Sequence, residues 1–199
     1  MRRSIPITAL CAVAVLAAGC SSTPPSRFYT FSTTAAPATN PRPAVAQLSV
    51  VVGPVSIPAM VDMPQIVVTT GPNQVSIDEF NRWATPLASG IGHAVAEDLV
   101  ALLGTPRVSL FQQSLNAAAD YRVAIEVQAF ESAPGEAATL NAVWSVRRTK
   151  DSKTWIGRTT LREPASESGY DALVAAHSRA LTRMSQDIAK TILALERGA

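Results

Sequence analysis

From residue 47 to residue 162 the chain is a series of short β-branched or alternating runs cut by turn residues, interrupted once by a helical repeat. Residues 47–55 form an apolar run that should stop at Gly53-Pro54, and Ile57-Pro58 supplies a second break. Residues 65–70 and 74–77 flank Gly71-Pro72-Asn73, the pattern of two strands joined by a tight turn. Thr85-Pro86 then offers a hydroxyl cap and a proline at the first helical position. Leu87, Ile91, Val95 and Leu99 follow at intervals of four, with Glu97 and Asp98 off that stripe. A helix over 86–103 is predicted, ended by Gly104-Thr105-Pro106.

After a short run at 108–111, Tyr121, Val123, Ile125, Val127 and Ala129 alternate with polar residues, as do Leu140, Ala142, Trp144 and Val146. A third run at 154–162 follows the turn Lys150-Asp151-Ser152-Lys153. Three consecutive antiparallel strands are the simplest reading. From 170 to 195, Leu173, Ala176, Ala180, Met184, Ile188, Ile192 and Leu195 step by three or four along one helical face. A one-sided sheet and two amphipathic helices satisfy each other, so the predicted class is α+β: a mainly antiparallel sheet with two principal helices packed on one face, in a single domain over 47–199.

The chain before residue 47 has a different character. Arg2 and Arg3 precede a mostly apolar run from 5 to 18, and Gly19 stands before Cys20, which is the charged, apolar, small-residue order of an export signal. The run is shorter than the roughly 20 apolar residues of a membrane span. Residues 1–19 are therefore expected to be removed. From 20 to 46 Ser, Thr, Pro and Ala dominate, with Pro24, Pro25, Pro37, Pro41 and Pro43 breaking regular structure, so the stretch reads as a tether; within it the β-favouring island at 27–32 is expected to be a first strand docked on the domain, the alternative being tether with chance aromatics. Behaving as a coil, the tether would reach about 25–30 Å.

Removing residues 1–19 takes Arg2 and Arg3 and no acid, changing the balance from 17 basic and 15 acidic residues to 15 of each. The basic character of the precursor thus leaves with its signal and argues for no nucleic-acid partner. Cys11 leaves with it as well. With Cys20 committed to an anchor, no disulfide, thiol nucleophile or cysteine metal site is available to the folded part.

Candidate chemistry is sparse. His93 and His177 stand apart on separate predicted helices, short of the three or four convergent ligands zinc requires, so neither a metal nor any cofactor is expected. Gly90-Ile91-Gly92 lies inside a helical pattern, where glycines let another element approach closely, and not between strand and helix as in a dinucleotide fingerprint. No Gly-x-Ser-x-Gly elbow is present, and the acid pairs Asp78-Glu79 and Glu97-Asp98 diverge. No enzymatic activity is expected. Arg147, Arg148, Lys150 and Lys153 cluster at one hairpin tip, either as a phosphate or acidic-partner site or as a solvated turn. Arg82 and Trp83 are candidates for partner contact, the alternative for Trp83 being a core ring that pins its loop. Pro58 and Pro64 hold 57–67 to loop or edge positions, where a partner strand can add.

Leu16-Ala17-Ala18-Gly19-Cys20 resembles the lipobox of bacterial lipoproteins, although Leu usually stands three residues before the Cys and here stands four before it. The resemblance implies a diacylglycerol thioether on Cys20, cleavage before it and acylation (palmitate or a similar chain) of the new amino group. Several such chains make an effectively permanent anchor. Further along, Arg27-Phe28-Tyr29-Thr30, Val52-Gly53-Pro54-Val55-Ser56-Ile57-Pro58, Asp62-Met63-Pro64-Gln65-Ile66-Val67, Glu79-Phe80-Asn81-Arg82-Trp83-Ala84-Thr85-Pro86-Leu87 and Tyr170-Asp171-Ala172-Leu173-Val174 resemble, in order, the PqiC-type auxiliary lipoproteins of ABC-type transport systems that accompany MCE proteins. That resemblance implies a non-enzymatic, membrane-anchored subunit that faces the periplasm from the outer membrane and docks an MCE-type, PqiB-like partner, serving lipid transport or envelope integrity. Ser21 and Ser22 after the cysteine favour the outer over the inner membrane under the family-level sorting rule. A lipid carrier binding between helices and sheet is the alternative, and a hydrolase a more distant one; association into a homo-oligomer is left open.

Overall fold

The structure is a computed structural model that describes residues 24–39, 43–111, 119–165, 167 and 169–197. The expected signal and Cys20 lie outside the described residues. Ten elements follow in chain order: β1 (Arg27–Tyr29), β2 (Val50–Ser56), β3 (Gln65–Gly71), β4 (Gln74–Trp83), α1 (Leu87–Leu103), β5 (Val108–Leu110), β6 (Tyr121–Ala133), β7 (Ala137–Arg148), β8 (Thr154–Pro164) and α2 (Tyr170–Arg197), with a helical turn at Pro43–Ala46 and a 3-10 turn at Ala59–Val61.

The α+β class stands, with a correction to the sheet. There are two sheets and both are mixed: the larger has the order β5-β2-β6-β7-β8, the smaller β1-β4-β3. β6, β7 and β8 form the expected antiparallel meander, but β2 lies parallel to both β5 and β6, and β1 lies parallel to β4. Parallel pairing needs a crossover, which α1 and the small sheet supply between β2 and β5. Gly53-Pro54 does not end β2 as expected. Gly53 stands at φ +116, where only glycine is comfortable, the peptide to Pro54 is cis, the register against β6 shifts between Val52 and Val55, and the strand continues to Ser56.

Both helices lie on one face of the larger sheet, α1 over β2 and β5 and α2 over β6, β7 and β8. Val123, Ile125 and Val127 from β6 and Leu140, Ala142, Trp144 and Val146 from β7 meet Leu173, Ala176, Ala180, Met184, Ile188 and Ile192 from α2, all buried in one core. Helix α1 begins at Leu87 with Pro86 as its cap residue and no side-chain cap, so the expected Thr85 hydroxyl cap does not form. Its other end is as expected: Gly104 at φ +66 donates its N–H to the Val100 carbonyl, a left-handed glycine closing the last turn.

Candidate functional site

Of the stretches that carry the family resemblance, 27–30, 79–87 and 170–174 meet in space. Strand β4 is kinked between its pairings with β3 at Ile77 and at Arg82, and Asp78 holds the kink. Its Oδ1 accepts the N–H groups of Phe80 (2.8 Å) and Asn81 (3.0 Å), while its Oδ2 accepts the Tyr170 hydroxyl (2.9 Å) at the first residue of α2. Asn81 Oδ1 accepts the Tyr29 hydroxyl (2.8 Å), and the Tyr29 and Tyr170 rings lie 6.0 Å apart. These hydrogen bonds outweigh the desolvation of the Asp78 carboxylate and leave its pKa below the usual value. Three segments far apart in sequence are thereby fastened at one corner.

From this corner the chain runs across the two helices. The Tyr29 carbonyl accepts the Ala84 N–H. Ser32 N–H reaches Ser178 Oγ at 3.2 Å, Thr34 bonds Thr182 Oγ1 through its N–H (3.3 Å) and its hydroxyl (2.9 Å), and Ala38 N–H reaches the Ala101 carbonyl at 2.9 Å. Thr33 Oγ1 donates to Asp98, which also accepts from Thr182 and contacts Ser185. Asp98 is buried beneath this strap. Burial pushes its pKa up, against the hydrogen bonds from Thr33, Ser185 and Thr182. From Arg27 to Ala38 the chain is thus bonded to the domain.

Phe31 is the apolar part of the strap. Its ring lies 4.9 Å from that of Trp83 and 6.1 Å from that of Phe130. Gly90 allows this approach: a Cβ there would lie 3.4 Å from the Phe31 ring and 3.3 Å from Thr85 Oγ1, the close approach expected of that glycine. Below, His177 stacks on Phe130 at 3.9 Å, with Trp83 edge-on at 6.5 Å. His177 is buried, its Nε2 is 2.8 Å from Ser132 Oγ, its Nδ1 has no partner, and burial depresses its pKa to about 3.

A serine beside a histidine invites a hydrolase reading, but Ser132 and His177 are both buried, no acid orients the imidazole, and a base of pKa near 3 is too weak to activate a hydroxyl. The pair ties β6 to α2. It escaped sequence analysis because the partners are 45 residues apart and meet only after a bulge in β6 turns Phe130 and Ser132, in place of Ala129, to the helix side.

The structure separates the two residues singled out for partner contact. Trp83 is 7 % exposed and its ring faces Phe31, Phe130 and His177, so it is the core ring that pins the loop. Arg82 is on the surface beside Glu79, at 3.5 Å. At the basic hairpin tip Arg148 is engaged internally: it grips Asp151 with two bonds (2.7 and 3.1 Å), lies over the Trp155 ring and holds the Asp151 carboxyl down at about 2. Lys153 shares Asp151 at 3.8 Å, and Arg147 bonds Ser152. His93 is exposed on α1, whereas His177 is buried on α2. Among the described residues no cluster of metal-ligating side chains occurs, and no helix is long and apolar enough to cross a membrane.

Fold and seam together define an α+β module whose N-terminal segment is built into its own helix pair and whose buried polar groups fasten elements together. The chain belongs to the family of ABC-type transport auxiliary lipoprotein components, which matches residues 29–189. No curated protein matches it. Among solved structures it is similar to a DUF330-family protein from Xanthomonas campestris (22% identity, TM-score 0.69, covering 87% of this chain and 98% of that one) and to an uncharacterized protein (18%, TM-score 0.69, 85% and 99%). At these identities the likeness establishes the fold. Family membership makes the protein an auxiliary, membrane-associated lipoprotein component of a transport system. That role requires partner proteins and is consistent with a non-enzymatic part.

Proposed function

We propose that Cys20 carries the lipid anchor, that the protein is held in the outer membrane facing the periplasm, and that its domain docks an MCE-type partner spanning from the inner membrane, in lipid transport or envelope integrity. The observation that carries this reading is the strap: residues Arg27 to Ala38, which begin seven residues after the expected anchor, are bonded to both helices through Ser178, Thr182, Asp98 and Ala101. Such a connection leaves only the seven-residue step from Cys20 to Arg27 to separate the domain from its anchor, the short leash that suits a docking subunit. A carrier shuttling lipid through the periplasm gains nothing from it. The layer between helices and sheet, where a carried lipid would have to lie, is filled by Leu140, Ala142, Ala180, Met184 and Ile188, all fully buried.

Crosslinking in envelopes followed by affinity capture tests the reading, with the native chain compared with Cys20→Ala and with Arg82→Glu. The native form should capture an MCE-type protein, and Cys20→Ala should lose most of that yield. Capture of no MCE-type protein by the native form rejects the docking role. Equal capture by Cys20→Ala rejects the part assigned to the anchor.

A further inference from the structure

We propose that the outward face of the small sheet, bearing Phe28, Val75 and Ile77, rests on the phospholipid surface of the membrane that holds the anchor; this rests on the acylation of Cys20 proposed above. The register defines the face. Phe28 stands beside Arg82, Arg82 opposite Gln65, Ile77 opposite Val67, and Val75 opposite Thr69, so these side chains share one side of the sheet. Ile66, Val68 and Trp83 point to the other side, into the core, and on the outward side Val67 is itself covered at 8 % exposure, so the exposed apolar surface is carried by Phe28, Val75 and Ile77. On the outward side Phe28 is 65 % exposed, Ile77 48 % and Val75 42 %. Val75 and Ile77 rise from the hairpin turn at Gly71-Pro72-Asn73. The polar members of the face, Gln65, Thr69 and the Arg82–Glu79 pair, place a cation among the apolar side chains, a composition suited to the headgroup boundary.

The leash selects the occupant. Cys20 is seven residues from Arg27, and β1, the edge strand of this sheet, begins there. Fully extended, seven residues span at most about 25 Å, and as a coil about 15 Å. A domain of this length has a radius of gyration of about 15 Å. The leash is therefore shorter than the domain is wide, and docking of the strap prevents the chain beyond Arg27 from lengthening it. The part of the surface drawn to the lipid is the part around β1, and that is where the exposed apolar side chains of the small sheet lie. Ile156, 76 % exposed on β8 of the other sheet, has no such link to the anchor.

The test uses the full-length chain expressed in an acylating bacterial host and reconstituted into phosphatidylethanolamine–phosphatidylglycerol vesicles. With Cys20 acylated and Cys11 removed, Phe28→Cys, Ile77→Cys and Ile156→Cys each present one thiol for a nitroxide label. Collision with dissolved oxygen, which concentrates in lipid, and with a water-soluble nickel chelate then reports the surroundings. Labels at 28 and 77 should show several-fold lower nickel and higher oxygen collision rates than the label at 156. Equal, water-like values at all three positions overturn the proposal. So do labels at 28 and 77 shielded from both quenchers, since a second copy or another protein then covers the face. Mass spectrometry of the same preparations separates the two failures: an unacylated Cys20 removes the anchor reading and this inference with it, whereas an acylated Cys20 with water-exposed labels removes this inference alone.

Discussion

His177 gives the sharpest quantitative expectation. In the folded chain its imidazole is stacked on Phe130, edge-on to Trp83 and bonded to Ser132, with burial holding its pKa at about 3 against 6.5 for a free histidine. Between these two values the unfolded chain binds a proton that the folded chain refuses, so the stability is present well above pH 6.5 and is lost as pH falls through and below that value. At pH 7 the unfolded histidine is mostly neutral and the loss is a few tenths of a kcal/mol. At pH 5 about 97% of unfolded chains carry the proton, and the loss is about 2 kcal/mol. Any folded value below about 4 gives the same loss at pH 5, because the unfolded value sets it. Replacing His177 by Gln removes the titration while keeping a polar group that can reach Ser132. The variant is less stable at pH 7, since it loses the stacking on Phe130. Urea unfolding at pH 7 and pH 5 on both chains isolates the effect, because every other titrating group, Asp98 included, is common to them. The wild type should lose about 2 kcal/mol more than His177→Gln over this interval. A difference below about 0.5 kcal/mol would show that the imidazole can be protonated in place, and the account of a dry, closed seam would be wrong.

Two further expectations concern other junctions. At Gly157 an added Cβ would lie 2.2 Å from Trp144 Cζ2, and Trp144 donates from Nε1 to Thr159 Oγ1, which in turn donates to Asp187 on α2. Gly157→Ala must therefore displace the indole, costing about 2–4 kcal/mol from overpacking and the lost bond, or roughly 5–15 °C in Tm; an unchanged melting curve refutes that packing. At Asp98, whose pKa burial raises, stability is greatest below the unfolded value of 3.8 and is lost as pH rises through the higher folded value, the reverse of the usual carboxylate. Asp98→Asn keeps an oxygen for Thr33 and Thr182 and should match or exceed wild-type stability at pH 7, whereas Asp98→Ala strands both hydroxyls and should cost about 1–3 kcal/mol in urea unfolding; equal losses in the two variants contradict the assignment.

Legibility in the sequence followed the range of the interactions. The β6–β8 meander, the β3–β4 hairpin and both helices were readable because each rests on a local period: alternation within 121–127 and 140–146, steps of three or four within 87–99 and 173–192. The parallel pairing of β2 was not, since nothing near residue 50 records that its neighbours come from residues 108 and 121. The buried side of the 129–132 stretch was misplaced because a single bulge reverses the alternation, turning Phe130 inward in place of Ala129. The strap was legible only in its aromatic island. From Ser32 onward it docks by hydroxyl and backbone hydrogen bonds to Ser178, Thr182 and Asp98, and a Ser/Thr/Ala-rich stretch with that capacity has the composition of a free linker. The same omission left Asp98 on the wet side of α1, where the helical stripe alone would put it.

Several residues in the stretches that resemble the family acquire a physical reason from this arrangement. Tyr29, Asp78, Asn81, Trp83 and Tyr170 make no catalytic constellation; they hold β1, the kink of β4 and the start of α2 at one corner, and Gly90 leaves room for Phe31 to continue across the helices. If such residues served only to stabilise a core, apolar side chains would do so with fewer buried groups to satisfy. Hydrogen bonds instead define direction and register, and what they register is the N-terminal segment from Arg27 to Ala38, the part of the domain nearest the proposed anchor. A transport auxiliary whose work is done by surfaces needs that: the orientation of the domain relative to the membrane decides which surface a partner meets. On the docking role proposed above, the strap limits how far the domain can swing from a lipid on Cys20. Loosening it, for instance by Thr182→Val together with Ser178→Ala, should leave the anchor and most of the core intact while lowering capture of the partner in envelopes. Undiminished capture by a folded, acylated double variant would separate docking from orientation.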